Sequence, residues 1–118
     1  MKTGHTGIKR IVYATGYSFK GLRAAWCNEA AFRQESVAAL VLIVVAFFLP
    51  VSKLEQLAMI GSLAIVLIAE LMNSAVEAVV DRISDEHHEL SGRAKDIGSA
   101  AVFVSLALAA FTWGYILI

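Results

Sequence analysis

Glu70, Asn73, Ser74 and Glu77 lie within residues 57–80, a stretch long enough and apolar enough to cross a membrane. At about 100° per residue these four positions fall on one face of a helix, and Asp81 extends that face at its end. Intramembrane carboxylates are costly and usually face a bundle interior or a wet cavity. An interhelical hydrogen-bonding seam would be served by Asn73 and Ser74 alone. Two glutamates seven residues apart, with an aspartate four residues on, point instead to a functional site.

Other polar groups gather at the same depth. Glu77 and Asp81 end the second apolar block, Lys95, Asp96 and Ser99 open the third, and Glu29 precedes the first. Converging carboxylates from Glu29 and Glu77 would suit Mg²⁺, which favours one or two carboxylates plus phosphate oxygens and water. Lys95 and Arg10 could take phosphate charge. Glu70 would lie about 10 Å deeper than Glu77 at 1.5 Å per residue. A poorly solvated carboxylate is a better general base for a hydroxyl than one held ionised by a metal. The roles therefore divide, with Glu77 for metal and Glu70 for the base. Each group also has a plainer reading. Lys95 and Asp96 could be an interfacial ion pair, Glu29 and Arg33 an i, i+4 surface pair, and Tyr17 an interface anchor. His87 and His88, among Asp85, Glu86 and Glu89, could be ordinary solvated loop. Neither G-x-x-x-x-G-K-[ST] nor the protein-kinase motifs occur. The single cysteine, Cys27, excludes an internal disulfide and reads as a small packing residue.

The elements that must position these groups are helices. The chain has 118 residues, one domain by length, and 58% of them are hydrophobic, above the roughly 45–50% of soluble domains. The excess sits in blocks at 36–51, 57–80 and 97–118. A span needs about 20 apolar residues, so the second and third qualify directly and the first must be short, tilted or extended upstream. Three transmembrane helices are expected, at about 30–51, 57–80 and 97–118. Net charge is zero, but the basic residues are uneven. Lys2, Lys9, Arg10, Lys20, Arg23, Arg33, Arg82, Arg93 and Lys95 fall on one side and Lys53 alone on the other. Basic residues favour the cytoplasmic side, which predicts a cytoplasmic N-terminus and a C-terminus across the membrane.

Residues 1–7 read as a frayed start, not a signal peptide. From Ile8, apolar residues including Ile11, Val12, Phe19, Leu22 and Trp26 recur at helical spacing, with Lys9, Arg10, Lys20 and Arg23 mostly off that stripe. Such a helix, over 8–26, lies in the membrane interface, and Gly16 and Gly21 are expected to break or bend it. Pro50 closes the first span, and the five residues 52–56 allow only a tight return to an antiparallel neighbour. Ser91 could cap a helix starting near Gly92 and running into the third span. Ala94, Gly98, Ala101 and Ser105 give that helix a small-residue ridge, and Trp113 and Tyr115 suit the far interface.

Three segments carry a resemblance: GYSFKGLRAAWCNEAAFRQE at 16–35, AELMNSAVEAVVDR at 69–82 and HELSGRAKDIGSAA at 88–101. Through them the chain resembles the small integral-membrane diacylglycerol kinases of bacteria over nearly its whole length. The resemblance implies an all-α membrane protein, with three transmembrane helices plus an N-terminal interfacial amphipathic helix, assembled as a homotrimer whose subunits share active sites. It implies transfer of the ATP γ-phosphoryl group, with Mg²⁺, to the primary hydroxyl of diacylglycerol in the bilayer, giving phosphatidic acid. It places the protein in the bacterial inner membrane with its C-terminus periplasmic, and implies no nucleic-acid partner. Glu29 and Glu77 match metal and nucleotide positions, Glu70 a proposed proton acceptor, and Asn73 a required polar neighbour. Arg10, Tyr17, Lys95 and Asp96 match nucleotide contacts, with Arg10 and Glu70 also at the lipid substrate. Glu86 and His88 match the nucleotide loop, and Ser99 a lipid-side contact. Ser84 stands where glycine is expected, and His87 where an aromatic residue is common.

Other readings remain at this point. A related subgroup phosphorylates undecaprenol, although NEAAFRQE favours the diacylglycerol type. A small proton-coupled transporter could use a buried glutamate such as Glu70, but usually lacks this interfacial cluster. A structural or assembly subunit would have no catalytic task for Glu77. Three spans enclose little of a site alone, so oligomerisation is also expected on size grounds.

Overall fold

The computed structural model describes residues 6–83, 86 and 88–118. Its helices are α1 (Gly7–Asn28), α2 (Ala30–Phe48), α3 (Lys53–Ile83) and α4 (Glu89–Leu117). The last three are long and apolar enough to cross a membrane. The frayed start falls mostly outside the described residues. α1 runs unbroken through Gly16 and Gly21, which corrects the expectation of a break there: a glycine costs a helix only about 1 kcal/mol, less than the flanking turns supply. The break comes instead at Glu29, whose extended backbone ends α1 and starts α2 one residue later.

α3 is the central helix, packed along both α2 and α4. Small residues let the backbones approach. Phe32, Ala39 and Ala46 form a buried i, i+7 stripe on α2, and Ser105 and Ala109 are buried on α4. Of the ridge expected on α4, Gly98 comes against Asn73, whereas Ala101 stays exposed. Large apolar side chains such as Leu40, Phe47, Ile68 and Phe103 point outward, as they do on a surface that meets lipid or another apolar surface.

The helix ends explain the boundaries. Ser52 Oγ accepts from Glu55 N–H at 3.1 Å while Glu55 Oε1 accepts from Ser52 N–H at 2.9 Å. This reciprocal capping box starts α3 four residues before its apolar block. At about 1.5 Å per residue, 31 residues span roughly 46 Å, well beyond a hydrocarbon core of about 30 Å. The last turns of α3, with Glu77 and Asp81, are thus on a rigid extension. α4 also starts earlier than expected: His88 is its N-cap, with Nδ1 accepting from Leu90 N–H at 3.1 Å, and Ser91 lies inside the helix. At the opposite end, Trp113 Nε1 donates to Met59 O at 3.1 Å and ties α4 to α3. Gln56 Nε2 donates to Ala46 O at 3.2 Å and ties α3 to α2. Trp113 is therefore a helix-to-helix strut as well as an aromatic near the chain end, while Tyr115 stays exposed.

Candidate functional site

The face formed by Glu70, Asn73, Ser74 and Glu77 is turned inward. Glu70 is 5% exposed and Asn73 9%, and Ser74 and Glu77 are half-buried. Asn73 Oδ1 and Ser74 Oγ are buried without a hydrogen-bond partner. Buried polar atoms are normally paired, so these two are exceptions on the carboxylate-bearing face of α3.

An open cleft of about 680 Å³ separates α1 from α3. Ser18, Gly21 and Asn28 line it from α1, Glu29 from the join that follows, and Leu71, Ser74, Ala75 and Ala78 from α3. Glu29 lines this cleft, whereas Glu77 is not among its lining residues, although its neighbours in sequence Ala75 and Ala78 are. The expected ion pair between Glu29 and Arg33 does not form. Arg33 Nη1 donates instead to the carbonyls of Trp26 at 2.7 Å and Cys27 at 3.3 Å, the unpaired end of α1.

Lys95 pairs with Asp81 across α3 and α4 at 2.7 Å, not with its neighbour Asp96, because residues adjacent in a helix point to different sides. Glu77 also lies within electrostatic reach of Lys95. Asp96 and Ser99 are exposed on α4. His88 caps that helix, Glu86 precedes it in sequence, and Ser84 and His87 fall outside the described residues. Lys20 lies over the Tyr17 ring at 5.9 Å, a cation–π contact within α1. Arg10 is the outlier: nineteen residues along α1 place it roughly 28 Å from Glu29, too far to share a ligand within one chain.

The family model for prokaryotic diacylglycerol kinase matches residues 16–117. The chain belongs to that family. A diacylglycerol kinase of Escherichia coli strain K12 is 57% identical over 113 residues, covering 96% of this chain and 93% of the relative. The diacylglycerol kinase of Pseudomonas aeruginosa strain PAO1 is 55% identical, covering 98% of this chain and 94% of its own. That of Haemophilus influenzae strain Rd is 52% identical, with 95% of each chain covered. The matched family stretch includes all the candidate site residues except Arg10.

For a member of the diacylglycerol kinase family, one more residue belongs in the account. Glu35 of α2 comes within hydrogen-bonding reach of the Glu70 carboxyl, and its own Oε1 is buried without a partner. Glu35 is not among the candidates that the sequence pattern singles out. The available signal was a carboxylate six residues after Glu29, at the edge of an apolar block. Replacing Glu35 by alanine is expected to lower kcat roughly 10–100-fold, the scale of a disturbed acid–base group, with the KM for nucleotide little changed. Steady-state kinetics on the variant checks this, and an unchanged kcat would remove Glu35 from the site.

Proposed function

We infer that the protein is a diacylglycerol kinase: it moves the γ-phosphoryl group of ATP to the primary hydroxyl of diacylglycerol, making phosphatidic acid at the cytosol–membrane boundary. The observation that carries this is the inward-turned Glu70–Glu77 face of α3 beside a cleft that Ser74 of that face and Glu29 line, in a chain of this family. α1 is read as lying in the interface, since Ile8, Ile11, Val12 and Phe19 are exposed on a helix that also carries basic residues. The basic-residue asymmetry supports a cytoplasmic N-terminus in the bacterial inner membrane.

Phosphoryl transfer asks mainly for positioning and charge neutralisation. The diacylglycerol oxygen attacks the γ-phosphorus, the bond to the β–γ bridging oxygen breaks, ADP leaves, and the hydroxyl proton passes to the Glu70 carboxylate. Asn73 would orient that hydroxyl, and Ser99 would meet the lipid. Lys95 would exchange Asp81 for phosphate oxygens. Asp96, Glu86, His88, Tyr17 and Arg10 would contact the nucleotide.

The donor set suits a magnesium ion carried by nucleotide. Among the described residues no cluster of three His, Cys, Asp or Glu exists, whereas Mg²⁺ bound through phosphates needs only one or two carboxylates. Glu29 and Glu77 would hold it, and when bound it neutralises charge on the transferring phosphoryl. The distance from Arg10 to Glu29 along α1 supports an assembly, read as a homotrimer, in which a neighbouring subunit completes each site.

The test is lipid phosphorylation by the purified protein in mixed micelles, with Mg-ATP and either diacylglycerol or undecaprenol. Phosphatidic acid is the expected dominant product. Preference for undecaprenol would keep the site and change the substrate; no product from either, with the helices intact by circular dichroism, would end the kinase reading.

A further inference from the structure

Residues 7–48 contain no proline, and the join at Cys27, Asn28, Glu29 and Ala30 contains no glycine. Local propensity gives no reason for α1 to stop there. Yet Glu29 leaves the helix, at φ −119° and ψ 106°, for a single residue. In an uninterrupted helix the carbonyls of Trp26 and Cys27 would accept from the amides four residues on, those of Ala30 and Ala31. Here Arg33 Nη1 takes both carbonyls. α1 has no basic residue in its last turn, and positive φ occurs among the described residues only at Gly7, so the common left-handed closure of a helix end is not in use. Arg33 supplies both the missing donors and the positive charge that a helix C-terminus favours.

We propose that Arg33 is a positioning residue: its guanidinium holds α1 and α2 apart as separate helices and so keeps the Glu29 carboxylate in the cleft. The consequence for nucleotide binding rests on the reading of Glu29 given above. Without the guanidinium, Trp26 and Cys27 carbonyls recover the Ala30 and Ala31 amides, the two helices fuse, and α1 swings away from α3.

The test uses the full chain in micelles and four variants: Arg33→Met, Glu29→Gln, Ala30→Pro, and Arg33→Met with Ala30→Pro. Proline at position 30 has no N–H to give Trp26, suits the first position of a helix, and holds the preceding residue extended. It therefore keeps the break without Arg33. Hydrogen exchange at Ala30 and Ala31 and binding of Mn-ATP by Mn²⁺ spin resonance are read without turnover. Arg33→Met is expected to slow exchange at Ala31 and Ala30 at least tenfold and to weaken Mn-ATP binding about tenfold, with the KM for lipid within twofold of wild type. The double variant is expected to bind Mn-ATP within threefold of Ala30→Pro alone. Unchanged exchange in a folded Arg33→Met protein overturns the proposal. A double variant that fails to fold or to bind, where Ala30→Pro alone succeeds, also overturns it, since Arg33 then does something the break does not explain. A Glu29→Gln protein that binds Mn-ATP like wild type refutes the site reading instead, and leaves the exchange result to judge the break.

Discussion

Glu77→Gln is expected to lower kcat/KM for Mg-ATP by about 10³-fold, roughly 4 kcal/mol of transition-state stabilisation. Glutamine keeps the size and one acceptor oxygen but removes the charge. On the proposed reading that charge both ligates the metal and lies beside Lys95, so its loss alters two contributions to phosphate neutralisation at once. Folding should hardly notice. Glu77 is half-buried, and Lys95 retains Asp81 as its direct ion partner; such substitutions usually stay within about 0.5 kcal/mol. The separation of effects is the point of the measurement: Mg-ATP kinetics in mixed micelles beside a denaturation curve. Activity within threefold of wild type would mean that the carboxylate has no catalytic task, and would favour a structural role.

Gly98→Ala carries the other large effect, and its sign is informative. On helix propensity alone, alanine should stabilise α4 by about 1 kcal/mol. The site predicts the reverse. An added Cβ would overlap Asn73 Oδ1, sit 3.4 Å from Asn73 Cγ and lie 3.8 Å from Asn73 Cα. The amide is buried, so it must leave the stripe or α4 must move off α3. Overpacking of this kind costs about 1–3 kcal/mol, and kcat should fall at least tenfold as Asn73 is displaced. Asn73→Ala should lower kcat by itself, and adding it to Gly98→Ala should recover the stability but not the rate. Neighbours that share one contact are non-additive in this way. A stabilised, fully active Gly98→Ala protein would show that α4 does not press on Asn73.

What could be read in advance follows from what is local. The three apolar blocks and the 3.6-residue spacing of Glu70, Asn73, Ser74 and Glu77 are properties of one helix at a time, and they pointed to the three helices long and apolar enough to cross a membrane and to the face that turns inward. The S-x-x-E start of α3 was equally local and was simply overlooked. The rest lies between helices. The end of α1 is made by a side chain from α2, Lys95 chooses Asp81 over Asp96 because two helices converge, and Glu35 reaches Glu70 only after α2 packs on α3. Glycines misled for the same reason: Gly16 and Gly21 meet nothing, and Gly98 alone, among the described glycines, is pressed by a neighbour. The site roles assigned through the family rested on sequence match, and within one chain they reach from the Glu77 cluster out to a distant Arg10.

The one-residue join at Glu29 makes α1 a lever. A helix of 22 residues is roughly 33 Å long, so lifting its free end by about 6 Å tilts it by about 10° around a pivot that is itself a proposed metal ligand. There is no slack loop to absorb the motion. If α1 floats on the bilayer surface, the depth at which the lipid headgroups hold it becomes a mechanical input to Glu29, and the thickness and surface pressure of the host membrane act on nucleotide binding without touching the nucleotide.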